Sequence, residues 1–355
     1  MARAAGQAAR SAATLALAAV GGALAHAAGI PLPWMIGAMV AVSGAAIAGF
    51  PASAPSAFRP AALIVLGTGF GQAFTPPVLV ALAGSLPALA GAAIASVVSG
   101  VVVSRVTARV GRLDTRTAFF LSIPGGIVAM VVLAARAGAS VPAVTLGQTL
   151  RMVLVVLTYP VAMAARGTTG EDVFSVAPPA VSWPALPVLL ALALGGALLL
   201  RLTGLANPWM MGPVFVSLGL AVAGRPLSGL PGPLIDAAQV ALGATLGARL
   251  TREFLLRSRR LLVASLVNMA LLSLFAVAIA LAVVALAGLP LAATLLGTAP
   301  GGMPEMAVTA KVMNLGVPLV LGFHLVRLLI CNLFVLPLWR AFAWAERRLG
   351  RSAGE

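Results

Sequence analysis

The sequence predicts an all-α polytopic membrane protein made of two inverted-topology repeats, with about ten transmembrane helices and two broken or re-entrant helices. Three observations lead to this fold class: the composition, an internal repeat, and the distribution of arginine. Of 355 residues, 61% are hydrophobic and 9% are charged, whereas soluble domains carry about 25% charged residues. The composition therefore excludes a soluble enzyme, a disordered chain and a soluble nucleic-acid-binding domain.

The net charge of +15 comes from 22 arginines and a single lysine, Lys311. Cytoplasmic loops of membrane proteins carry excess Lys and Arg, which set the orientation of the helices. The charge therefore requires no nucleic-acid partner. One cysteine, Cys331, excludes disulfides, and two distant histidines, His26 and His324, do not make a multi-histidine metal site. We accordingly expect no metal, no cofactor and no catalytic residues.

Three sequence motifs each occur twice, and the second copies keep the spacing of the first copies to within one residue. They are Pro-Trp-Met-(Ile/Met)-Gly at 33–37 and 208–212, Leu-Gly-x-x-x-Gly at 66–71 and 242–247, and Pro-Gly-Gly at 124–126 and 300–302. Chance similarity in an Ala/Leu/Gly-rich chain would not keep this spacing. We therefore predict repeat 1 at 1–166, a polar linker at 167–183, repeat 2 at 184–345 and a cytoplasmic tail at 346–355.

Each repeat contains six apolar segments, most of them long enough to span about 30 Å as a helix. In repeat 1 they lie at about 12–29, 31–49, 60–75, 78–103, 117–137 and 142–164. In repeat 2 they lie at about 184–202, 207–224, 232–250, 261–288, 291–313 and 317–339. Twelve plain membrane spans would be the simplest interpretation.

The arginines favour a different count, because the basic loop does not repeat. Repeat 1 has four arginines at 105–116, between segments four and five, whereas repeat 2 has five at 249–260, between its segments three and four. A displaced basic loop is expected when the two halves have opposite orientations in the membrane. Opposite orientations require an odd number of crossings per repeat, so one segment in each repeat does not cross.

The Pro-Gly-Gly segment is the candidate, because proline removes a helical donor and glycine frees the backbone. Ten spans and two hairpins put eighteen basic residues on the cytoplasmic side and three outside, namely Arg166, Arg225 and Lys311. Both termini would then be cytoplasmic, in a multi-pass protein of the bacterial inner membrane. The same charges would fit any other non-crossing element in each repeat.

Arg151 and Arg327 occupy equivalent positions inside apolar helices, and Gln148 and His324 each precede one of them by three residues. Residues three apart share a helix face. One interpretation is that these pairs bind an anionic substrate in a central cavity. The other is that each arginine caps carbonyl groups freed by the broken helix of its own repeat. The sequence does not decide between these interpretations.

The two Pro-Gly-Gly tips are further candidates for substrate binding. Half-helices that end inside the membrane would point free N–H groups and positive dipole ends inward, which favours anions. Alternatively, the glycines only permit close packing of helices. The tip residues are Pro124, Gly125, Gly126, Pro300, Gly301 and Gly302.

Two acidic residues are candidates for ion or proton coupling. Glu305 follows the second tip and has no acidic counterpart, since Ala129 occupies the equivalent position. It would couple transport to an ion, or serve as counter-ion to Arg327 or Lys311. Asp236 lies near the start of an apolar segment, where an acid often acts as a cap or dipole partner instead.

The Pro-Trp-Met and Leu-Gly-x-x-x-Gly boxes and the sequence Gly-Thr-Ala-Pro-Gly-Gly-Met-Pro-Glu-Met at 297–306 resemble the bacterial membrane AbrB family, which has a duplicated membrane domain. The resemblance covers about residues 12–345. Family members are commonly labelled as transcriptional regulators or ammonia monooxygenases, so the resemblance implies a role in regulating gene expression. The small soluble DNA-binding regulator of the same name is a different protein.

The residues do not support either label literally. Copper sites use clustered histidines or soft sulfur ligands, which this chain lacks unless a partner subunit supplies the metal. The short basic loops contain no DNA-binding motif. We therefore expect a non-enzymatic secondary transporter or permease for a small anionic metabolite, or else a membrane-embedded regulator that acts indirectly. A structural subunit of a larger complex and a homo-oligomer also remain open, and the lipid bilayer is the one partner that the composition requires.

Overall fold

The computed structural model describes residues 2–165, 174, 176–204, 207–253 and 259–348. Much of the expected linker at 167–183 and most of the expected tail at 346–355 lie outside the described residues, as do Arg166, Arg257 and Arg351. Regular structure in the described ranges is helical throughout. The all-α prediction is therefore confirmed.

Every apolar segment expected from the sequence corresponds to one helix, or to two where Pro-Gly-Gly interrupts it. The first half contains α1 (Ala2–Ala27), α2 (Pro33–Ile47), α3 (Phe58–Gly71), α4 (Pro76–Gly111), α5 (Thr115–Ser122), α6 (Ile127–Arg136) and α7 (Val141–Ala165). The second half contains α8 (Leu186–Leu202), α9 (Pro208–Val222), α10 (Gly232–Gly247), α11 (Arg259–Ala287), α12 (Leu291–Thr298), α13 (Met303–Val312) and α14 (Val317–Arg348).

Five of the described helices are long and apolar enough to cross a membrane: α1, α4, α7, α11 and α14. Four others, α2, α3, α8 and α9, are apolar but shorter, with 14 to 17 residues. Many large hydrophobic side chains of both the long and the short apolar helices are exposed, including Leu202 of α8 and Leu274 and Leu286 of α11. This is the surface of a helical membrane protein, since lipid takes the place of water around such helices.

The chain forms two compact units, and each unit takes segments from both sequence halves. Unit 1 contains residues 1–81, 160–256 and 307–318, and unit 2 contains residues 82–159, 257–306 and 319–355. Helices α1–α3 and α8–α10 belong to unit 1. Helices α5, α6 and α12, the start of α13 and both arginine-bearing segments belong to unit 2, whereas the rest of α13 belongs to unit 1.

In unit 1, the two repeated boxes pack against each other. A Cβ on Gly67 or Gly71 of α3 would lie within 3 Å of a carbonyl oxygen of α9, that of Met210 or Val214. A Cβ on Gly243 or Gly247 of α10 would likewise lie within 3 Å of a carbonyl oxygen of α2, that of Met35 or Met39. The glycines let each pair of backbones come close enough for extensive van der Waals contact, which stabilises helix pairs in lipid.

The turns that precede α2 and α9 share an uncommon backbone conformation. Leu32 (φ 50°) and Asn207 (φ 57°) are both left-handed N-caps, and they occupy equivalent positions in the two halves. Asparagine tolerates this conformation, whereas leucine does so at a cost of about 1 kcal/mol. Leu32 is fully buried, so its side-chain packing offsets that cost.

In unit 2, the helices break at the two Pro-Gly-Gly motifs. Helix α5 ends at Ser122 and α6 begins at Ile127, and in the second half the break lies between Thr298 and Met303. The backbone N–H of Ser140, just after α6, donates to Thr117 Oγ1 in the first turn of α5 (2.9 Å). The chain therefore leaves α6 beside the point where it entered α5, so these two helices form a hairpin with Pro-Gly-Gly at its tip.

In each half, the arginine-bearing helix packs against the helix that ends at the break. In the first half, Leu121 of α5 fills the space beside Gly147 of α7. In the second half the sizes are exchanged, because Phe323 of α14 fills the space beside Gly297 of α12. A large side chain meets a glycine at the same place in both halves, but the large residue comes from the opposite helix.

A buried polar contact joins three helices of unit 2 next to the first break. The side-chain amide of Asn268 in α11 donates to Thr107 Oγ1 of α4 (2.9 Å) and to Ser122 Oγ of α5 (2.6 Å). All three residues are at most 1% exposed. Because Ser122 is the last residue of α5, this network fixes the end of the helix just before the tip.

Candidate functional site

Gln148 and Arg151 of α7 bind the carbonyl groups freed at the end of α5. The Gln148 side-chain amide donates to the carbonyl oxygens of Phe120, Leu121 and Ile123 at 2.9 to 3.2 Å. Arg151 Nη1 donates to the Ile123 oxygen (3.2 Å), and its Nη2 donates to Gln148 Oε1 (2.7 Å). A helix end leaves carbonyls without intrahelical partners, and these two side chains supply the missing donors.

His324 and Arg327 of α14 contact the carbonyl groups freed at the end of α12. His324 Nε2 lies 3.1 Å from the Leu296 carbonyl oxygen. Arg327 donates to the oxygens of Ala299 (2.6 Å) and Gly301 (3.0 Å), and its Nη2 lies 2.8 Å from His324 Nδ1. Arg327 thus bonds to a carbonyl on each side of Pro300, and so spans the break itself.

The partners of His324 fix its tautomer. Nε2 faces a carbonyl oxygen, which only accepts, so this nitrogen carries the proton. Nδ1 faces a guanidinium N–H, which only donates, so this nitrogen presents its lone pair. The ring is therefore neutral and acts as donor and acceptor at once. Gln148 plays both parts in the other half through its amide and its Oε1.

The two arrangements match at equivalent positions of the two halves. This is the geometry expected if each arginine caps the carbonyls of its own broken helix. It leaves the substrate role of Arg151, Arg327, Gln148 and His324 as a prediction, because a guanidinium has five N–H donors and these contacts occupy only some of them. Nε of Arg151 is buried and has no partner among the described residues.

No carboxylate among the described residues forms a salt bridge with either guanidinium group. Arg151 is 2% exposed and Arg327 is 6% exposed. Neither forms a salt bridge with a carboxylate in the described ranges of the chain, where carbonyl oxygens, Gln148 and His324 are their hydrogen-bond partners. A buried cation without a counter-ion is energetically costly, and an anion bound beside it would relieve that cost.

Each tip contacts the arginine-bearing helix of the other half. Met152, next to Arg151, packs over Gly302, where a Cβ would lie 3.0 Å from its Cε. Leu328, next to Arg327, packs over Gly126 in the equivalent contact at 3.3 Å. The two tips and the two arginines expected from the sequence therefore converge in unit 2.

The tips differ in exposure. Pro124 is buried, but Gly125 and Gly126 are partly exposed, whereas Pro300 and Gly301 are buried and only Gly302 is partly exposed. The first tip is therefore the more accessible of the two.

Helix α13 bears the two charges that have no counterpart in α6. Glu305 is fully buried in its first turn, and a Cβ on Gly302 would overlap its Oε2, so the carboxylate lies against the second tip. Lys311, in the part of α13 that belongs to unit 1, places its Nζ where a Cβ of Gly69 would stand. The equivalent residues of α6 are Ala129 and Ala135.

Asp236 is the one candidate that lies in unit 1, in α10, while all the others belong to unit 2. Its coupling role stays a prediction, as does that of Glu305. Sequence reasoning missed Gly69 as the partner of Lys311. The signal was present, because the corresponding position of the second Leu-Gly-x-x-x-Gly box is Thr245, whose Cβ would exclude a lysine.

Comparison with known proteins places the chain in a family. The chain is 27% identical to "Uncharacterized protein YhjN" of Bacillus subtilis (strain 168), over 92% of this chain and 91% of the relative. It is also 27% identical to "Putative regulator AbrB" of Escherichia coli (strain K12), over 84% and 86%. The family description "Transition state regulatory protein AbrB" matches residues 34–343. Because this match covers most of the chain, the chain belongs to the AbrB family, as its repeated boxes indicate.

Proposed function

We propose that this protein is a secondary transporter for a small anionic metabolite, with its binding site between the two tips of unit 2. One observation carries the proposal: two buried arginines without a carboxylate partner in the described ranges stand where two broken helices converge. Broken helices that meet inside a membrane protein are typical of substrate sites in secondary transporters.

The helix ends at the tips support the same choice of ligand. Helices α6 and α13 both begin at a tip, and the first N–H groups of a helix have no intrahelical acceptor. With the partial positive charge of the helix dipole, such ends favour a carboxylate or phosphate. Nε of Arg151 adds a buried donor that is without a partner in the described part of the chain.

The proposal includes the inverted-topology arrangement with ten spans and two re-entrant hairpins. Its support is the hairpin contact between Ser140 and Thr117 and the displaced basic loop. The protein would then be a multi-pass protein of the bacterial inner membrane with both termini cytoplasmic.

A topology experiment tests this arrangement. A fluorescent protein that matures only in the cytoplasm, fused after residue 355, should fluoresce. The same protein fused after Arg225, which the ten-span arrangement puts outside, should stay dark. Fluorescence at both positions would overturn the proposed orientation.

Glu305 is assigned to proton coupling in this proposal. Its carboxylate is fully buried and lies against Gly302 at the second tip, so a proton carried by Glu305 and an anion held at the tip would influence each other electrostatically. No catalytic reaction, cofactor or nucleic-acid partner is assigned.

Transport by the purified full chain in liposomes tests the function. The protein should accumulate at least one anion from a panel of radiolabelled small carboxylates under an inward proton gradient. Arg151→Lys should weaken uptake strongly, because lysine lacks the Nε donor and the planar fork, whereas the exposed Arg225→Gln should leave uptake unchanged. Glu305→Gln should remove the dependence on the proton gradient. A panel on which the unaltered protein moves nothing would contradict the proposal.

A second candidate function is indirect regulation of gene expression from the membrane. The family description and the name of the Escherichia coli relative favour it. The two functions differ in a deletion strain that carries a tip variant. If Arg151→Lys restores normal expression without restoring uptake, regulation is independent of transport. If expression and uptake both fail to recover, the regulatory effect follows from the transported anion.

A further inference from the structure

Unit 1 contains a cavity of about 620 Å³ that belongs to none of the functions above. Its walls are formed mainly by α1 and α10, with Trp34 at the start of α2 and Phe58 at the start of α3. Nearly all of the lining is apolar. The exception is Asp236, the only charged residue among those that line it.

Two of the residues that line the cavity are smaller than their counterparts in the other half. Ala19 of α1 and Ala241 of α10 line it, and their counterparts in the other half are Leu194 and Val65. The counterpart of Asp236 is Pro60. The half with these smaller residues therefore also has the charge.

The carboxylate of Asp236 forms no hydrogen bond or salt bridge with any residue in the described ranges. Two aromatic rings stand at the same end of unit 1: Trp34 lines the cavity, and His26 stacks on it with ring centroids 5.8 Å apart. His26 and Asp236 are close enough to interact electrostatically. The cavity thus combines apolar walls, an anionic group and an indole, and the imidazole of His26 stacks on that indole.

We propose that this cavity binds a phospholipid with an ethanolamine headgroup. Helix α1 is a candidate membrane span, and only 33% of its apolar stretch is buried within the protein. Its outer face therefore meets acyl chains in a membrane. An acyl chain fills the apolar cavity. The primary ammonium donates to Asp236 and lies near the indole of Trp34, which favours cations.

The chemistry distinguishes this lipid from its neighbours in a membrane. A choline headgroup carries a cation but has no N–H donor, so it cannot form a charge-assisted hydrogen bond with a carboxylate. A glycerol headgroup has no cation and leaves the lipid anionic, so Asp236 repels it. This inference depends on the membrane location of the protein and not on the proposed transport.

Native mass spectrometry of the full chain, delipidated in detergent and then titrated with one lipid at a time, tests the proposal. Lipids with the same acyl chains and ethanolamine, choline or glycerol headgroups are compared. We expect ethanolamine lipid to be retained about tenfold more tightly than choline lipid, the size of one charge-assisted hydrogen bond. Asp236→Asn should abolish this preference.

Two further variants keep the test specific. Ala241→Val, which installs the residue found at Val65, should weaken retention of all lipids by reducing the cavity. Asp114→Asn removes a negative charge in unit 2 while keeping a good N-cap for α5, so it should retain the ethanolamine preference. Equal retention of the three lipids by the unaltered protein overturns the proposal. So does a dimer that Ala241→Val converts to monomers, because a second copy would then occupy the cavity.

Discussion

The two broken-helix regions, residues 115–151 and 291–327, have the same architecture but different chemistry. Both have a Pro-Gly-Gly tip, an arginine on the tip carbonyls and a partner residue three positions before it. They differ in the residues added to this frame. The second has His324 where the first has Gln148, and it has Glu305 and Lys311 where the first has alanine.

This comparison separates the scaffold from the chemistry. What the two regions share is what a broken helix in a membrane protein needs, namely donors for its freed carbonyls. What only the second region has is His324, Glu305 and Lys311 at positions where the first has glutamine and alanine. The frame is therefore the part that both copies share, and the added residues are the part in which they differ.

The largest effect is expected from removal of an arginine. Arg327→Ala leaves the carbonyls of Ala299 and Gly301 buried without their donor, which should lower the free energy of unfolding by about 3 kcal/mol. Arg151→Ala should cost less, because Gln148 still reaches Ile123. Thermal unfolding in detergent measures both, with the exposed Arg225→Ala as control. Equal losses for the two arginines would show that Arg327 has no additional role in spanning the break.

The exchanged packing of Leu121–Gly147 and Gly297–Phe323 predicts a rescue. Gly297→Leu alone should cost about 3 kcal/mol, because the new side chain collides with the Phe323 ring. Adding Phe323→Gly recreates the first region's arrangement and should restore most of the stability. A double-mutant cycle in unfolding free energy measures the coupling. If the losses of the two single variants add in the double variant, positions 297 and 323 are not coupled. The second region would then not tolerate the Leu–Gly arrangement of the first.

A smaller effect is expected where Lys311 meets Gly69. Gly69→Ala places a methyl group at the position of Nζ, so the lysine chain must move, at a cost of about 1 kcal/mol. Lys311 is the only lysine, so the rate of amine-specific labelling at this site, read by peptide mass spectrometry, should rise. Thr245→Gly, at the equivalent position, is the control and should leave the rate unchanged. An unaltered rate in Gly69→Ala would contradict the contact.

The smallest effect on stability is expected from His324→Gln. Glutamine supplies one donor and one acceptor, as Gln148 does in the first region, so the free energy of unfolding should change by only about 0.5 kcal/mol. If His324 exchanges protons during transport, the pH dependence of uptake should nevertheless change. The reciprocal Gln148→His is the matched control. A large loss of stability in His324→Gln would show that the two partners are not interchangeable.

The sequence alone determined the elements and their breaks. Helix boundaries follow from the apolar segments and from Pro-Gly-Gly, because proline removes a backbone donor and the conformational freedom of glycine destabilises a helix. The duplication was also visible, since the repeated motifs kept their spacing almost unchanged between the two halves. From these patterns the sequence predicts the tips, Arg151 and Arg327 as candidate substrate-binding residues.

Only the tertiary structure decided which partners those residues have. Spacing along one helix places Gln148 beside Arg151, but it does not reveal that both reach carbonyls about 28 residues earlier in the chain. The exchanged Leu121 and Phe323 contacts, the meeting of Gly69 with Lys311, and the cavity beside Asp236 all join residues from separate helices. Packing between helices depends on side-chain volume at contact points that local periodicity does not encode, so these contacts follow from the folded chain alone.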